Sequence, residues 1–201
     1  MSEDKIWQMV DAMTEMEFKV KDGVIRIVDP SHVCMMEIRN VKLKDGYWIM
    51  EGKGAKMKPV KFDGLYGNPP AMPKMELPCK ISLGSTENIF KVLKQMGSLG
   101  DVILMESNSK TLKLSIGQRN YSRIEAVIPT TNIEYYLKGV GKGISDNVIK
   151  NIGRSHYKLH YLIQPFRYLN PTSLEFGPNF PIKLEGKNWT WFLAPRIEGD
   201  A

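Results

Sequence analysis

The spacing of hydrophobic residues predicts one helix and several short strands in residues 1–63. In "DKIWQMVDAM", residues 4–13, apolar side chains recur every three or four positions, as on one face of an amphipathic helix. These positions are Ile6, Trp7, Met9, Val10 and Met13. The stretch "EFKVKDGVIRIV" predicts two strands joined at Asp22-Gly23, a dipeptide that favours a tight hairpin turn. Further strands are predicted in "VCMMEIR", at residues 47–51 and in "KMKPVKF".

The pattern in residues 79–201 predicts a repeated unit of one strand, one helix and three strands. The first unit begins with the strand "CKISL" and a helix from Glu87 to Met96, with Ser85 or Thr86 as its N-cap and Gly97 as its end. The strands "DVILMES", "KTLKLSI" and "SRIEAVI" follow. After a loop, "HYKLHYLIQPFRYLN" predicts a strand and a short helix, and "SLEFG", "FPIKLEG" and "NWTWFLAP" predict three more strands. Such units bury little alone and stack into a larger layer.

A proline-rich segment separates these two parts. Residues 64–78 read "GLYGNPPAMPKMELP" and hold no helical or strand periodicity. Each proline fixes φ and disfavours helix in the residue before it, so the segment is predicted to be an extended and partly stiff linker.

Composition and charge exclude some classes of protein. No apolar window is long enough for a membrane span, and the first residues, "MSEDKIWQMVDAM", do not have the pattern of a secretory signal. The formal net charge of +6 suits a polyanion partner, although many proteins with this charge never bind nucleic acid. Cys34 and Cys79 lack a CxxC or histidine-rich context and are predicted to be buried free thiols in a reducing compartment.

Motifs for catalysis, cofactors and metals are absent from the sequence. It contains no GxGxxG, GxxxxGK[ST], GxSxG or HExxH pattern. His32, His156 and His160 have no carboxylate or cysteine at ligand spacing. We therefore expect neither an enzyme nor a bound cofactor or metal.

The stretch "WTWFLAPRIEGDA", residues 189–201, raises a separate question. Pro195 stops the predicted strand because its ring fixes φ and removes an N–H donor. The apolar residues before it therefore belong either to a frayed end or to a surface where another molecule docks.

Four stretches resemble one known family, the ring-shaped DNA sliding clamps of the proliferating cell nuclear antigen type. "VDPSHVCMMEI", residues 28–38, is similar to an Asp-Pro-Ser-His-Val stretch of the first clamp domain, and "PAMPKMELPCKISL", residues 70–83, to the interdomain connector. "FRYLN" resembles the last helix of the family and "WFLAPRIEGD" its C-terminal segment.

The resemblance implies an α+β sliding-clamp fold, with repeated β-α-β-β-β units and helices on one face of antiparallel sheets. Residues 1–63 would be a shortened first domain that lacks its second helix, residues 64–78 the connector, and residues 79–201 a complete second domain.

The resemblance also implies a function. The protein would be a non-enzymatic processivity factor for DNA replication and repair, a homo-oligomeric ring around duplex DNA. Its partners would be a clamp loader, DNA polymerase and other proteins with clamp-binding peptides. Its compartment would be the cytoplasm of a prokaryote or of a virus-infected cell, or the nucleus of a eukaryote.

Three groups of site residues follow from this resemblance. The partner-peptide pocket would contain Val28, His32, Val33, Met72, Pro181, Phe192, Ala194, Pro195 and Ile197. The helices lining the hole would present Lys5, Lys91, Lys94 and Arg167 to DNA phosphates. Subunits would meet through two edge strands, represented by Tyr47, Trp48, Ile49, Met50, Thr111, Leu112, Lys113 and Leu114.

Other interpretations remain open for the same residues. The pocket set could be an ordinary buried cluster, and the lysines could form a solvated helix face. "YLKGVGKGISDNVIKNIG", residues 136–153, is favoured as a glycine-rich loop, with a helix-hairpin-helix DNA contact as the alternative. A monomeric DNA-binding module or a monomeric peptide-binding decoy therefore competes with the clamp.

Overall fold

A computed structural model describes residues 3–13, 18–51, 56–61, 71–108, 111–117, 124–130, 132–135 and 153–196 of the chain. The helices in this part are α1 (Glu3–Met13), α2 (Glu87–Met96) and α3 (Leu159–Tyr168). All three agree with the helices predicted from periodicity, including the strand-to-helix transition before α3.

The strands follow the predicted order closely. They are β1 (Phe18–Lys21), β2 (Val24–Val28), β3 (Cys34–Ile38), β4 (Gly46–Glu51), β5 (Lys56–Val60), β6 (Cys79–Ser82), β7 (Val102–Ser107), β8 (Thr111–Ile116), β9 (Ile124–Pro129), β10 (Asn132–Tyr135), β11 (Arg154–Lys158), β12 (Ser173–Phe176), β13 (Ile182–Gly186) and β14 (Trp189–Leu193). The repeat β-α-β-β-β is present twice after residue 78, and among the described strands only β10, between the two units, was not predicted.

The larger sheet joins the two parts of the chain. Its ten strands lie in the order β10-β6-β12-β13-β14-β3-β2-β1-β4-β5, and every pairing in it is antiparallel. The junction is the pairing of β14 with β3, in which Trp191 lies opposite Met36. Every residue of β14 is buried. The sheet therefore contains strands from before and after residues 64–78. The predicted division of the chain into two domains at these residues stays a prediction.

A smaller sheet and the three helices complete the core. The sheet has the order β11-β7-β8-β9, again antiparallel throughout. α1 and α2 each pack against α3, so the helices form a row with α3 in the middle. α3 also contacts β11 and β14, which belong to different sheets. This arrangement agrees with the predicted α+β class and with helices on one face of antiparallel sheets.

Local sequence signals explain the first hairpin and the second helix. Asp22 and Gly23 both have positive φ angles, 53° and 69°, as a two-residue hairpin turn between β1 and β2 requires. α2 buries Ile89, Leu93 and Met96 along one face. It begins after Thr86, one of its two predicted N-caps, although no side chain caps the helix there.

The prediction of the two subunit-interface strands is wrong in one structural respect. β4, which carries Tyr47, Trp48, Ile49 and Met50, is paired on one side with β1 and on the other with β5. β8, which carries Thr111, Leu112, Lys113 and Leu114, lies between β7 and β9. Neither strand has a free edge: β4 pairs with the next strand, β5, and with the more distant β1, and β8 is the middle one of three consecutive antiparallel strands. The outer strands of the two described sheets are β5, β10, β9 and β11.

Candidate functional site

The loop between β2 and β3 is held rigid by one buried carboxylate. Asp29 accepts hydrogen bonds from the backbone N–H groups of Ser31, Val33 and Cys34, at 3.1, 2.6 and 2.6 Å. The backbone N–H of His32 also donates to the carbonyl oxygen of Asp29, at 2.8 Å. These bonds fix His32 in a left-handed conformation, φ 57°, with its side chain exposed.

Asp29 was not among the predicted site residues. The signal was present, since aspartate followed by proline and serine favours turns in which the carboxylate accepts backbone N–H groups. Asp29 holds the loop because its carboxylate is buried, and a buried carboxylate needs several hydrogen-bond donors to replace water.

The segment after β14 lies against this loop. The N–H of Ala194 donates to the carbonyl oxygen of Val33 at 2.8 Å, and that of Arg196 donates to the carbonyl oxygen of His156 at 2.8 Å. Pro195 lies between these two anchors and is half-buried, while Ala194 is exposed. Residues 194–196 are therefore held at both ends by hydrogen bonds and run across the surface rather than into the core.

Strand pairing brings together most of the predicted pocket set. Phe192 and Val28 both lie opposite Met35, one from each neighbouring strand, and Pro181 precedes the Ile182–Leu193 pair. Phe192 itself is buried, which agrees with a core role. The exposed or half-buried members beside it are Val28, His32, Val33, Pro181, Ala194 and Pro195.

One described member of the predicted pocket, Met72, is not brought to the others by strand pairing. Met72 is half-buried in the segment before β6, and β12 and β13 separate β6 from β14. Ile197 lies outside the described residues, as do residues 136–152, which contain most of the glycine-rich segment.

The row of helices presents basic side chains to solvent. Lys5 on α1, Lys91 and Lys94 on α2 and Arg167 on α3 are all exposed. Lys91 forms an ion pair with Glu87 one turn earlier, 2.7 Å between Nζ and Oε1, and this hydrogen bond lowers the pKa of the Glu87 carboxyl. All four predicted DNA-facing residues thus lie on one layer of the molecule.

Cys34 and Cys79 are free and buried, as predicted. Burial raises the pKa of Cys79 to about 11, although a hydrogen bond with Ser107 opposes the shift. Burial also raises the pKa of Cys34, and the negative charge of Asp29 raises it further. Both thiols are therefore protonated and poor nucleophiles at neutral pH.

The part of the chain that the structure describes has no group of three or more histidine, cysteine, aspartate or glutamate side chains placed to hold a metal ion. None of its helices has the length and hydropathy needed to cross a membrane.

The whole arrangement is similar to solved structures of sliding clamps. The structure of A. fulgidus PCNA bound to the C-terminal region of FEN-1 superposes with a TM-score of 0.68 at 16% identity, covering 98% of this chain and 96% of that chain. The proliferating cell nuclear antigen of Entamoeba histolytica gives a TM-score of 0.68 at 14% identity, over 96% and 94% of the two chains. This chain has the sliding-clamp fold.

The similarity extends to a bacterial clamp. DNA polymerase III subunit beta from Borrelia burgdorferi superposes with a TM-score of 0.65 at 14% identity, over 98% of this chain and 62% of that chain. No family model and no curated protein matches the sequence. The predicted fold is therefore confirmed by shape, at identities too low for the solved structures to assign residues.

Proposed function

We propose that this protein is a DNA sliding clamp, a non-enzymatic ring that tethers DNA polymerase and other proteins to duplex DNA. The observation that carries the proposal is the row of three helices, which exposes Lys5, Lys91, Lys94 and Arg167 on a sliding-clamp fold. Contacts from lysine and arginine to phosphates are independent of base sequence, so they allow a ring to move along DNA. Tethering then raises the effective concentration of a bound enzyme at its template.

Ring closure requires two different free edges in a head-to-tail contact. β9 is the best-suited edge in the second part, since Ile124 is 44% and Val127 is 59% exposed. β11 is less suitable because Arg196 already donates to one of its carbonyl groups. β5 is the outer strand of the first part. We therefore propose that β9 of one copy pairs with β5 of the next.

The ring is tested by placing charge on the β9 edge. Wild-type protein should have an oligomeric mass in native mass spectrometry and should increase polymerase processivity after loading. The double variant Ile124→Lys, Val127→Lys should keep its circular dichroism spectrum but run as a monomer and lose stimulation. Ala12→Lys with Ala71→Lys adds the same charge at other exposed positions and should leave the mass unchanged.

Two results count against the ring. A wild-type protein that stays monomeric at high concentration would favour a DNA-binding or peptide-binding module. A β9 variant that keeps its oligomeric mass would show that subunits meet elsewhere.

The second part of the proposal is a peptide-binding surface. It consists of the Asp29-fixed loop together with Ala194 and Pro195, an exposed apolar segment beside an ordered turn. The similar structure that contains a FEN-1 segment supports this assignment. A ligand with the pattern Gln-x-x-aliphatic-x-x-aromatic-aromatic would place apolar anchors on this surface, as helical peptides do in grooves.

Titration of a labelled peptide tests the surface. Ala194→Asp introduces a charge at an exposed position and should weaken binding by about tenfold or more, since each decade corresponds to about 1.4 kcal/mol. Lys187→Asp, in the exposed turn between β13 and β14, is the matched control and should bind as wild type does. Equal binding by both variants, or none by the wild type, would contradict the assignment.

A further inference from the structure

A cavity of about 200 Å³ opens beside α1, away from the proposed peptide surface. Asn188, which lines it, precedes β14, whereas Ala194 of the peptide surface follows β14. The length of that strand therefore separates the two regions. The lining comes from α1, the end of β3 with the loop after it, β5 and the turn before β14. Its apolar side chains are Ile6, Trp7, Ile38, Val41, Leu43 and Met57.

The polar part of the lining carries positive charge. It consists of Arg39, Asn40, Lys42 and Asn188, and no aspartate or glutamate of the described residues contributes to it. Lys42 is exposed and forms no ion pair within the described part of the chain. Its ammonium group is therefore available to a ligand at the mouth of the cavity.

Arg39 is positioned by a carboxylate that it shares with a second arginine. Glu37 accepts a hydrogen bond from Nε of Arg26 at 2.8 Å and another from Nη1 of Arg39 at 3.1 Å. The hydroxyl of Thr190 also accepts from Nη1 of Arg39, at 3.0 Å. One carboxylate thus faces two guanidinium groups, so this cluster keeps an excess of positive charge. Together with Lys42 it makes the rim attractive to an anion.

Backbone hydrogen bonds hold the wall around Asn40 in place. The N–H of Arg39 donates to the carbonyl oxygen of Asn188 at 2.8 Å, and that of Val41 donates to the carbonyl oxygen of Gly23 at 2.9 Å. Asn40 between them has a φ angle of 59°, and its side-chain amide donates to Oδ1 of Asn188 at 3.4 Å. This wall is therefore formed before a ligand arrives, which lowers the entropic cost of binding.

The size of the cavity limits the ligand to a small molecule. An apolar cavity of about 150 Å³ holds benzene. A cavity of about 200 Å³ therefore accommodates one aromatic ring with a short substituent. Trp7 supplies an aromatic wall and is itself stacked on Phe18, with 6.0 Å between the ring centroids. Apolar walls with a few convergent polar groups are typical of ligand sites.

We propose that this cavity is a binding site for a small aromatic carboxylate. The ring would lie against Trp7 and Leu43, and the carboxylate would accept hydrogen bonds from the ammonium group of Lys42 and the side-chain amide of Asn188. All lining residues belong to one chain. The site therefore goes beyond the proposed tethering function and does not depend on ring closure.

A titration of the full chain with 4-propylbenzoate, followed by nuclear magnetic resonance, tests the site. The indole N–H signal of Trp7 should shift and saturate, whereas that of Trp191, fully buried in the larger sheet, should stay in place. 4-Propylbenzamide has nearly the same size without the charge. It should bind about tenfold more weakly, because hydrogen bonds between charged groups are stronger than those of a neutral amide.

Three variants separate the charge of the rim from the apolar walls. Lys42→Met should weaken the carboxylate by about tenfold and leave the amide unchanged, since it removes the cation and keeps an apolar stem. Lys74→Met makes the same change at an exposed position outside the lining and should bind as wild type does. Val41→Phe places a larger side chain in the wall and should weaken both ligands. Circular dichroism shows whether each variant is folded.

The results that would overturn the inference are distinct from those that concern the clamp. Equal affinity for carboxylate and amide, or an unchanged carboxylate affinity in Lys42→Met, would contradict the anion site. A Trp7 signal that does not move, or full binding by Val41→Phe, would show that the cavity is not occupied. Displacement of the carboxylate by a clamp-binding peptide would place it on the peptide surface instead. A monomeric wild type would contradict the ring and leave this site intact.

Discussion

The two parts of the larger sheet are completed in different ways. In the part of the chain that the structure describes, the strands from residue 79 onward are accompanied by two helices that pack against each other, whereas β1–β5 are accompanied by α1. The edge of β3 in the first part is paired with β14 of the second part, and every residue of β14 is buried. The second part can thus stabilise the first, and a cavity of about 200 Å³ lies beside α1.

The largest expected effect comes from breaking the junction of the two parts. Trp191 of β14 is fully buried opposite Met36 of β3. Trp191→Ala should lower the free energy of unfolding by about 3–5 kcal/mol, because it removes a large buried side chain and leaves a cavity. Trp48→Ala on β4 is the comparison, since Trp48 is only half-buried. Equal losses in urea unfolding would show that the junction carries no special share of stability.

The next effect concerns the loop that belongs to the first part but faces the second. Asp29→Ala leaves three backbone N–H groups without their acceptor and should cost about 2–3 kcal/mol in urea unfolding. Asp29→Asn keeps one acceptor oxygen and should cost less. Peptide binding should fall in both variants in the same order. A loop that tolerates alanine without loss would mean that Pro30 and the neighbouring strands suffice to hold it.

Alkaline pH sharpens the comparison through the two thiols. The pKa of Cys79 rises from 9.0 to about 11 on folding, so between these values the unfolded chain loses a proton that the folded chain keeps. The contribution of the Cys79 thiol to the free energy of unfolding is complete below pH 9 and decreases above it, by up to about 1.4 kcal/mol per pH unit. Cys79→Ala should remove this part of the slope.

Cys34 in the first part provides the contrast. Burial and the negative charge of Asp29 both raise the pKa of its thiol. The free energy of unfolding that protonated Cys34 contributes should therefore still be falling at a higher pH than the contribution of Cys79. Urea unfolding from pH 8 to 11 measures both slopes. Identical pH dependence of wild type and Cys79→Ala would contradict the assignment.

The smallest effect on stability, with a clear effect on binding, is expected for the exposed lysines of α2. Lys91→Ala with Lys94→Ala should leave unfolding nearly unchanged, because exposed ion pairs contribute little. If both contact phosphates, the slope of log affinity for duplex DNA against log salt should fall by about 0.9 for each. Lys44→Ala with Lys187→Ala, at exposed turns, should retain the wild-type slope. Equal slopes for the two double variants would exclude a specific DNA role for α2.

Element types were predictable from the sequence, whereas their neighbours were not. The spacing of apolar residues identified α2, and the Asp22-Gly23 dipeptide identified the hairpin, because a helix and a tight turn each depend on residues close in sequence. β10 was missed because "NIEY" is short and gains its identity from pairing with β6. The edges assigned to β4 and β8 were wrong because each strand is paired on both sides, and the pattern that predicts a strand does not say which strands lie beside it.

The candidate site shows the same limit. The resemblance pointed to the segment around Ala194 and Pro195, and the structure brings that segment against Val33. It did not point to Asp29, whose role depends on three backbone donors brought together by the fold. The cavity beside α1 is likewise a property of packing, formed by residues from four separate stretches of the chain.

The pairing of β14 with β3 has a consequence for biosynthesis. β3 emerges from the ribosome early, while its partner strand emerges only after α2, α3 and the smaller sheet have been synthesised. Until then, one edge of β3 lacks its partner, and nascent chains with open strand edges are prone to aggregate. Contacts between residues so distant in sequence also slow folding. Production of this protein should therefore depend on chaperones and translation speed more strongly than its size suggests.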